Sequence, residues 1–203
     1  MSGTFPTSPV PRSIDVISDQ PVFVGRSNSR RRHARKVDGH LWFINVKFPP
    51  LRGALLMSLW SFQMKNDQSE VFQFQYPLDN QGVGLADETG VLVNQLAGVL
   101  AGATSVPLDG LTPNITNKFM AGDFITFGAS AKMHQVVDNA NTDATGATVV
   151  NIRPETIHDL SNNTPVVVNK PSFTVAFKNP QQEFKINPAD IYRFEFQLEE
   201  AIL

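Results

Sequence analysis

The sequence predicts a mainly β protein in two parts. A β-rich domain with one helix is built from both ends of the chain, and a small barrel of the OB or SH3-like kind is inserted between them. Three observations carry this. Apolar and polar residues alternate over short runs, as half-buried strands require. Only one stretch, residues 51 to 68, repeats apolar residues at helical spacing. The aromatic texture of residues 40 to 76 stops at Leu78 and returns at Pro171, so 79–170 reads as an insertion in a domain made of 1–78 and 171–203.

Composition narrows the function classes. The 203 residues are 41% hydrophobic and 18% charged, which suits a globular chain with a buried core and argues against disorder beyond the ends. A formal charge of −2 excludes a wholly basic surface of the kind that coats nucleic acid. The absence of cysteine removes disulfides, thiolate zinc sites and cysteine nucleophiles together. The most apolar window, "VLVNQLAGVLAGATSV", is broken by Asn94, Gln95, Gly98 and Gly102 and is too short to cross a bilayer, so no membrane insertion is expected.

The elements follow in order. "MSGTFPTSPVPRSIDV" is rich in Ser, Thr and Pro where a secretory signal needs an apolar run, and reads as an extended arm. "SIDVISDQPVFVG" spaces β-branched residues for a strand or strand pair ending on Gly25. "HLWFINVKF" is a strand with Trp42, Ile44, Val46 and Phe48 on one apolar face, stopped by Pro49 and Pro50. In 51 to 68, Leu51, Leu55, Leu59 and Phe62 form a helical stripe, with Leu56, Trp60 and Met64 alongside and Pro50 suited to the first turn. "EVFQFQYP" alternates Phe72, Phe74 and Tyr76 against Gln73 and Gln75.

In the middle of the chain, short strands are expected near 90–95 and over 104–111, 122–128, 132–139, 147–154 and 164–169, linked by polar turns such as "NANTDATG". The final strands put Phe173, Val175 and Phe177 on one face, then Tyr192, Phe194, Phe196 and Leu198 opposite Arg193, Glu195 and Gln197. The Gly-rich residues 80 to 90 and the basic stretch described next are the expected mobile segments.

Residues 26–36, "RSNSRRRHARK", hold six of the chain's seventeen Lys and Arg in eleven positions. The run has no interleaved aromatic, so it offers charge without a stacking platform for bases. It reads as a loop, solvated or held against the acidic surface of a partner subunit, ahead of the alternative of a nucleic-acid grip. Arg30, Arg31, Arg32, Arg35 and Lys36 are the candidate assembly residues.

Catalysis finds no support. No Ser lies in a Gly-x-Ser-x-Gly elbow, no carboxylate pair stands out, and His33, His40 and His134 read as satisfied surface or interface residues. Asn139, Asn141 and Asp143 have calcium-loop spacing, but Ala144 and Val150 occupy the Gly and Glu positions, so the segment reads as a hairpin turn. No catalytic residue, metal or cofactor is called for.

The stretch "AGDFITFGASAKMHQVVDN", then "VVNIRP" and "KPSFTVAFKN", resembles the distal tail proteins of siphophages, in the short two-domain form. "HLWFINVKFPPL", the helix and "FQFQYP" fit the same family's first domain in the same order, so the resemblance runs from about residue 13 to the C-terminus. It implies a β-sandwich ring domain with one helix and an inserted OB-like barrel. It further implies a homohexameric ring at the distal end of the virion tail, made in the host cytoplasm.

That ring would join the tail tube protein to the tip hub and fibre proteins and pass DNA through its lumen as cargo. The barrel would point outward, where a host surface glycan is met. The family lends no catalytic motif, and the arginine run matches none of its motifs. The alternative is a binding module whose barrel grips single-stranded nucleic acid or carbohydrate. That needs exposed aromatics beside cations, and 79–170 contains only Phe119, Phe124 and Phe127 with Lys118, Lys132, Arg153 and Lys170.

Overall fold

The computed structural model describes residues 3–37, 39–128, 130–179, 192 and 194–202. In chain order the elements are β1 (Ser13–Asp19), β2 (Val22–Arg26), β3 (Arg32–Lys36), β4 (Leu41–Lys47), α1 (Ala54–Lys65) and β5 (Phe72–Gln75). There follow β6 (Leu92–Val93), β7 (Ser105–Asp109), β8 (Phe124–Phe127), β9 (Met133–Val136), β10 (Thr148–Arg153), β11 (Val166–Val167), β12 (Ser172–Phe177) and β13 (Glu195–Glu200). Among the described residues the fold is mainly β, with one α-helix and a small barrel, as the sequence predicts. The chain forms two compact units, Met1–Phe72 with Val175–Glu200, and Gln73–Thr174 with Ala201–Leu203.

The first unit is organised by a five-stranded sheet in the order β1-β4-β13-β12-β5. The chain passes from one unit to the other along β5 and β12. Trp42, Ile44 and Val46 of β4 are buried and their alternate neighbours only half so, the face read from the sequence. Phe72, Phe177 and Phe196 meet across this unit, with ring centroids 5.1 Å apart for Phe72–Phe177 and 5.4 Å for Phe177–Phe196. The helix packs on these rings: Phe62 lies 5.1 Å from Phe72, and Trp60 6.3 Å from Phe194.

Two sequence expectations here need correction. The helix starts at Ala54 after a Gly53 cap in the left-handed region (φ 58), so Pro50 lies outside its first turn and Leu51 bridges to Tyr192 instead. The buried stripe is Leu56 and Leu59, while Leu55 and Met64 are exposed. The proline-rich arm is also not free. Phe5 is buried among Phe48, Phe62, Phe72 and Phe196, with centroids 5.5 to 6.3 Å away, so it closes the aromatic core. The predicted positions of Arg193 and of residues 180–191 lie outside the described residues.

The second unit contains six strands in the order β11-β8-β9-β10-β7-β6. Its ends nearly close: Leu92 bridges Pro165, the Val93 N–H donates to the Thr164 carbonyl at 2.9 Å, and the Val166 N–H to that of Val91 at 2.8 Å. All six strands fall where short alternating runs predict them. An OB fold has five strands, so this barrel fits that description loosely. Val106, Leu108, Phe119, Ile125, Val136 and Val150 fill it and are fully buried.

Residues 80–90, expected to be mobile, are tied down. The Asn80 side chain donates to the carbonyls of Phe124 (2.7 Å) and Val168 (2.8 Å) and accepts from the Phe124 N–H at 2.8 Å. The buried Asp123 carboxylate accepts from the N–H groups of Gln81 (2.6 Å), Gly82 (3.1 Å) and Met120 (2.8 Å). A Cβ on residue 82 would lie 2.0 Å from the Lys118 carbonyl oxygen, so glycine there permits close approach of two backbones. Polar and glycine residues in this segment serve fixed hydrogen bonds, which composition alone does not distinguish from mobility.

Candidate assembly surface

The basic stretch is a strand and a turn, not a loop. β2 pairs antiparallel with β3 in a two-stranded sheet of its own: Val22 opposite Lys36, Phe23 opposite Arg35, Val24 opposite Ala34, Gly25 opposite His33, and Arg26 opposite Arg32. Between β2 and β3 the Arg30 N–H donates to the Ser27 carbonyl at 2.8 Å and the Ser27 N–H to that of Arg31 at 3.0 Å. Arg30 takes a left-handed φ of 61. β1 and β4 form a hairpin whose connection is this ribbon. The β1–β4 ladder ends at Asp19 opposite Leu41, and the ribbon's ladder starts at Val22 opposite Lys36.

Cross-strand partners point to the same side of a sheet. One face of the ribbon therefore carries Arg26, Arg32 and Lys36 with Val22, Val24 and Ala34, and the other carries Phe23, Arg35 and His33. Every residue of β2 and β3 is exposed. Phe23 is 73% exposed and Val24 53%, although both are strand residues of the type that normally packs inward. Among the described residues no carboxylate lies within ion-pair distance of Arg30, Arg31, Arg32 or Arg35.

Of the five candidate residues, Arg30 and Arg31 therefore sit in the turn, and Arg32, Arg35 and Lys36 on β3. The sequence run missed the aromatic that the fold supplies. Phe23 is twelve positions from Arg35 in the chain and directly opposite it in the ribbon.

The other singled-out residues go elsewhere. His134 is buried, its Nδ1 2.9 Å from the Pro154 carbonyl and its ring 5.2 Å from Phe127. His40 Nε2 meets the Ser18 hydroxyl at 2.8 Å and packs edge-on to Trp42. Asp143 accepts from the Thr145 N–H and hydroxyl and from the Ala147 N–H, closing the turn of "NANTDATG" on itself. Those three bonds, the Thr145 hydroxyl first, hold its carboxyl below the usual range. Among the described residues no three His, Asp or Glu side chains group closely enough to hold a metal, and no helix is long and apolar enough to cross a membrane.

In the barrel, Lys118 is buried and ion-paired with Glu88 at 2.5 Å, and its Nζ also donates to the carbonyls of Val83 and Gly84. Burial pushes the Glu88 carboxyl up, but the hydrogen bonds from Lys118 and Thr112 outweigh it and hold the group below its usual range. Phe119, Phe124 and Phe127 are all buried. Phe119 and Phe127 belong to the barrel core and Phe124 packs on Tyr76 and Phe173, which leaves none of the three exposed as a stacking platform. In comparison with known proteins, no family model and no curated protein matches the chain.

Proposed function

We propose that the chain is a structural subunit of a siphophage tail tip, forming a homohexameric ring that joins the tail tube to the tip proteins and surrounds the DNA exit channel. The reading begins from the family resemblance of the barrel block and its flanking strands. The observation that carries it to a surface is the β2–β3 ribbon, which exposes both faces, an aromatic and a cluster of cations. A two-stranded ribbon with neither face covered is marginal in water, and its open edges and apolar side chains are what another chain covers. Assembly gives that ribbon a purpose that a free monomer does not.

The binding-module alternative loses its aromatic platform to the core, since Phe119, Phe124 and Phe127 are buried. Two measurements test the proposal: the mass of the purified chain in solution, and labelled-antibody imaging of tail tips. A particle of six chain masses, or antibody confined to the distal tail end, is the expected result. A chain absent from purified tails overturns it.

A further inference from the structure

A groove of about 440 Å³ opens at the C-terminal end of α1, lined by Gln63, Met64, Asn66, Asp67, Phe177 and Asn179 among others. Several of its donors are already engaged within the chain. Asn66 Nδ2 donates to the Phe62 carbonyl at 2.8 Å, Gln68 Nε2 to that of Lys178 at 2.6 Å, and Asn179 Nδ2 to Gln197 Oε1 at 3.0 Å. Its acceptors are left over. Asn66 is 0% exposed, yet its Oδ1 has no hydrogen-bond partner, and the same holds for the buried Gln63 Oε1.

The Asn66 amide is oriented by its bond to a carbonyl, so the orphaned atom is an acceptor. Asp67 Oδ1 accepts from the Ser69 N–H (2.8 Å) and hydroxyl (2.5 Å). Those bonds, the hydroxyl first, hold the Asp67 carboxyl below its usual range and so ionised at neutral pH. The last carbonyls of α1 add partial negative charge at the same end. Lys178, next to the groove, has its Nζ over the Phe43 ring, 4.2 Å from the centroid.

An exposed carboxylate, Asp67, above buried acceptors that lack a partner fits a ligand that only donates. A guanidinium group has five N–H donors and no acceptor. The β2–β3 ribbon presents Arg26, Arg30, Arg31, Arg32 and Arg35, all exposed and none of them bonded to Asn66 Oδ1 or Gln63 Oε1 of its own chain. We infer that the groove at the end of α1 receives the arginines of the β2–β3 ribbon of a second copy, head to tail. The inference rests on the ring-subunit reading and names its contact.

Charge and topology select this occupant. Without the six cations of 26–36, the chain keeps eleven Lys and Arg against nineteen Asp and Glu, a formal −8. A ribbon therefore attracts the remainder of another copy and repels another ribbon. The ribbon extends from β1 and β4 at one edge of the five-stranded sheet. The groove lies at the other edge, after β12 and before β5. Two complementary sites at opposite edges make a heterologous contact, which repeats in one direction and is the kind a closed ring needs.

The test uses the absence of native cysteine. Asn28→Cys in the turn and Met64→Cys at the groove both replace exposed side chains. The full chain carrying both, treated with a short bismaleimide, is expected to give a ladder of linked chains, and either single variant none. Asp67→Asn, which keeps an acceptor for the Ser69 N–H, is expected in the double background to cut the ladder at least threefold while the variant still melts cooperatively. Linked dimers from Asn28→Cys alone, or no ladder from the double variant at high concentration, overturn the inference. A ring seen in tail particles without the ladder sinks this contact and leaves the ring reading standing, whereas a chain absent from tails sinks both.

Discussion

Phe23 stands directly opposite Arg35 in the β2–β3 ribbon, on the face that also carries His33, and is 73% exposed to water. An aromatic ring and a guanidinium side by side on an uncovered strand pair are the two residue types that anchor protein interfaces most often. Because Phe23 has no core to leave, Phe23→Ser is expected to change the stability of the isolated chain by less than about 0.5 kcal/mol. Sedimentation is expected to show weakened self-association in the same variant. A large drop in melting temperature would mean that Phe23 supports the monomer.

The half-buried Glu88 and the buried Lys118 make an acid-sensitive fastening in the barrel. Glu88 has a folded-state pKa below its unfolded value of 4.5, so its contribution is fully present above about pH 4.5 and is lost as pH falls through the lower folded value. Glu88→Gln leaves the buried Lys118 ammonium without a counter-charge and, since Glu88 itself is only half-buried, is expected to cost about 1–2 kcal/mol at neutral pH. Below the folded-state value of Glu88 the two proteins should converge. Parallel denaturant titrations across that range check it, and an unchanged gap at low pH contradicts it.

Phe5 carries the N-terminal arm into the aromatic core. Phe5→Ala is expected to destabilise the first unit by about 3 kcal/mol, the usual cost of emptying a buried phenylalanine site. Chemical unfolding followed by tryptophan fluorescence measures it, since Trp42 and Trp60 both lie in that unit. A near-neutral result would place Phe5 on the surface in solution.

Trp42 is 5% exposed in β4, with Ile44 and Val46 beside it on the same face. Trp42→Asp buries an unpaired carboxylate and is expected to leave the chain insoluble or unfolded. A soluble variant with a cooperative melt would show that this face meets a partner and not the core.

Limited digestion with a non-specific protease is expected to cut first within 26–36, because a two-stranded ribbon solvated on both faces opens cheaply. Residues 80–90 are expected to resist, since Asn80, Asp123 and the Leu85 side chain hold them. First cuts in 80–90 would reverse that order.

What the sequence made legible follows from where burial imposes a period. The six barrel strands and β4, β5, β12 and β13 each bury one face or both, so alternation or apolar runs announce them. β3 buries neither face, and "RHARK" carries no period at all; only its partner β2, with Val22, Phe23 and Val24, has strand composition. Phe5 is a single aromatic in a Pro-rich segment, and no local pattern reveals a tertiary socket. The groove at the end of α1 joins Asn66 and Asp67 to Phe177 and Asn179, residues brought together only by the sheet order.

The central claim is that the basic ribbon serves assembly. The most direct measurement replaces Arg30, Arg31, Arg32 and Arg35 together with Ser and follows the chain's incorporation into tails by antibody labelling of purified particles. The account predicts an unchanged thermal melt, because all four side chains are exposed, together with loss of the chain from tail tips. It is contradicted if the four-serine variant assembles into infectious particles while the wild type binds short DNA with an affinity that falls steeply with salt, since that slope counts neutralised phosphates and makes the ribbon a nucleic-acid grip.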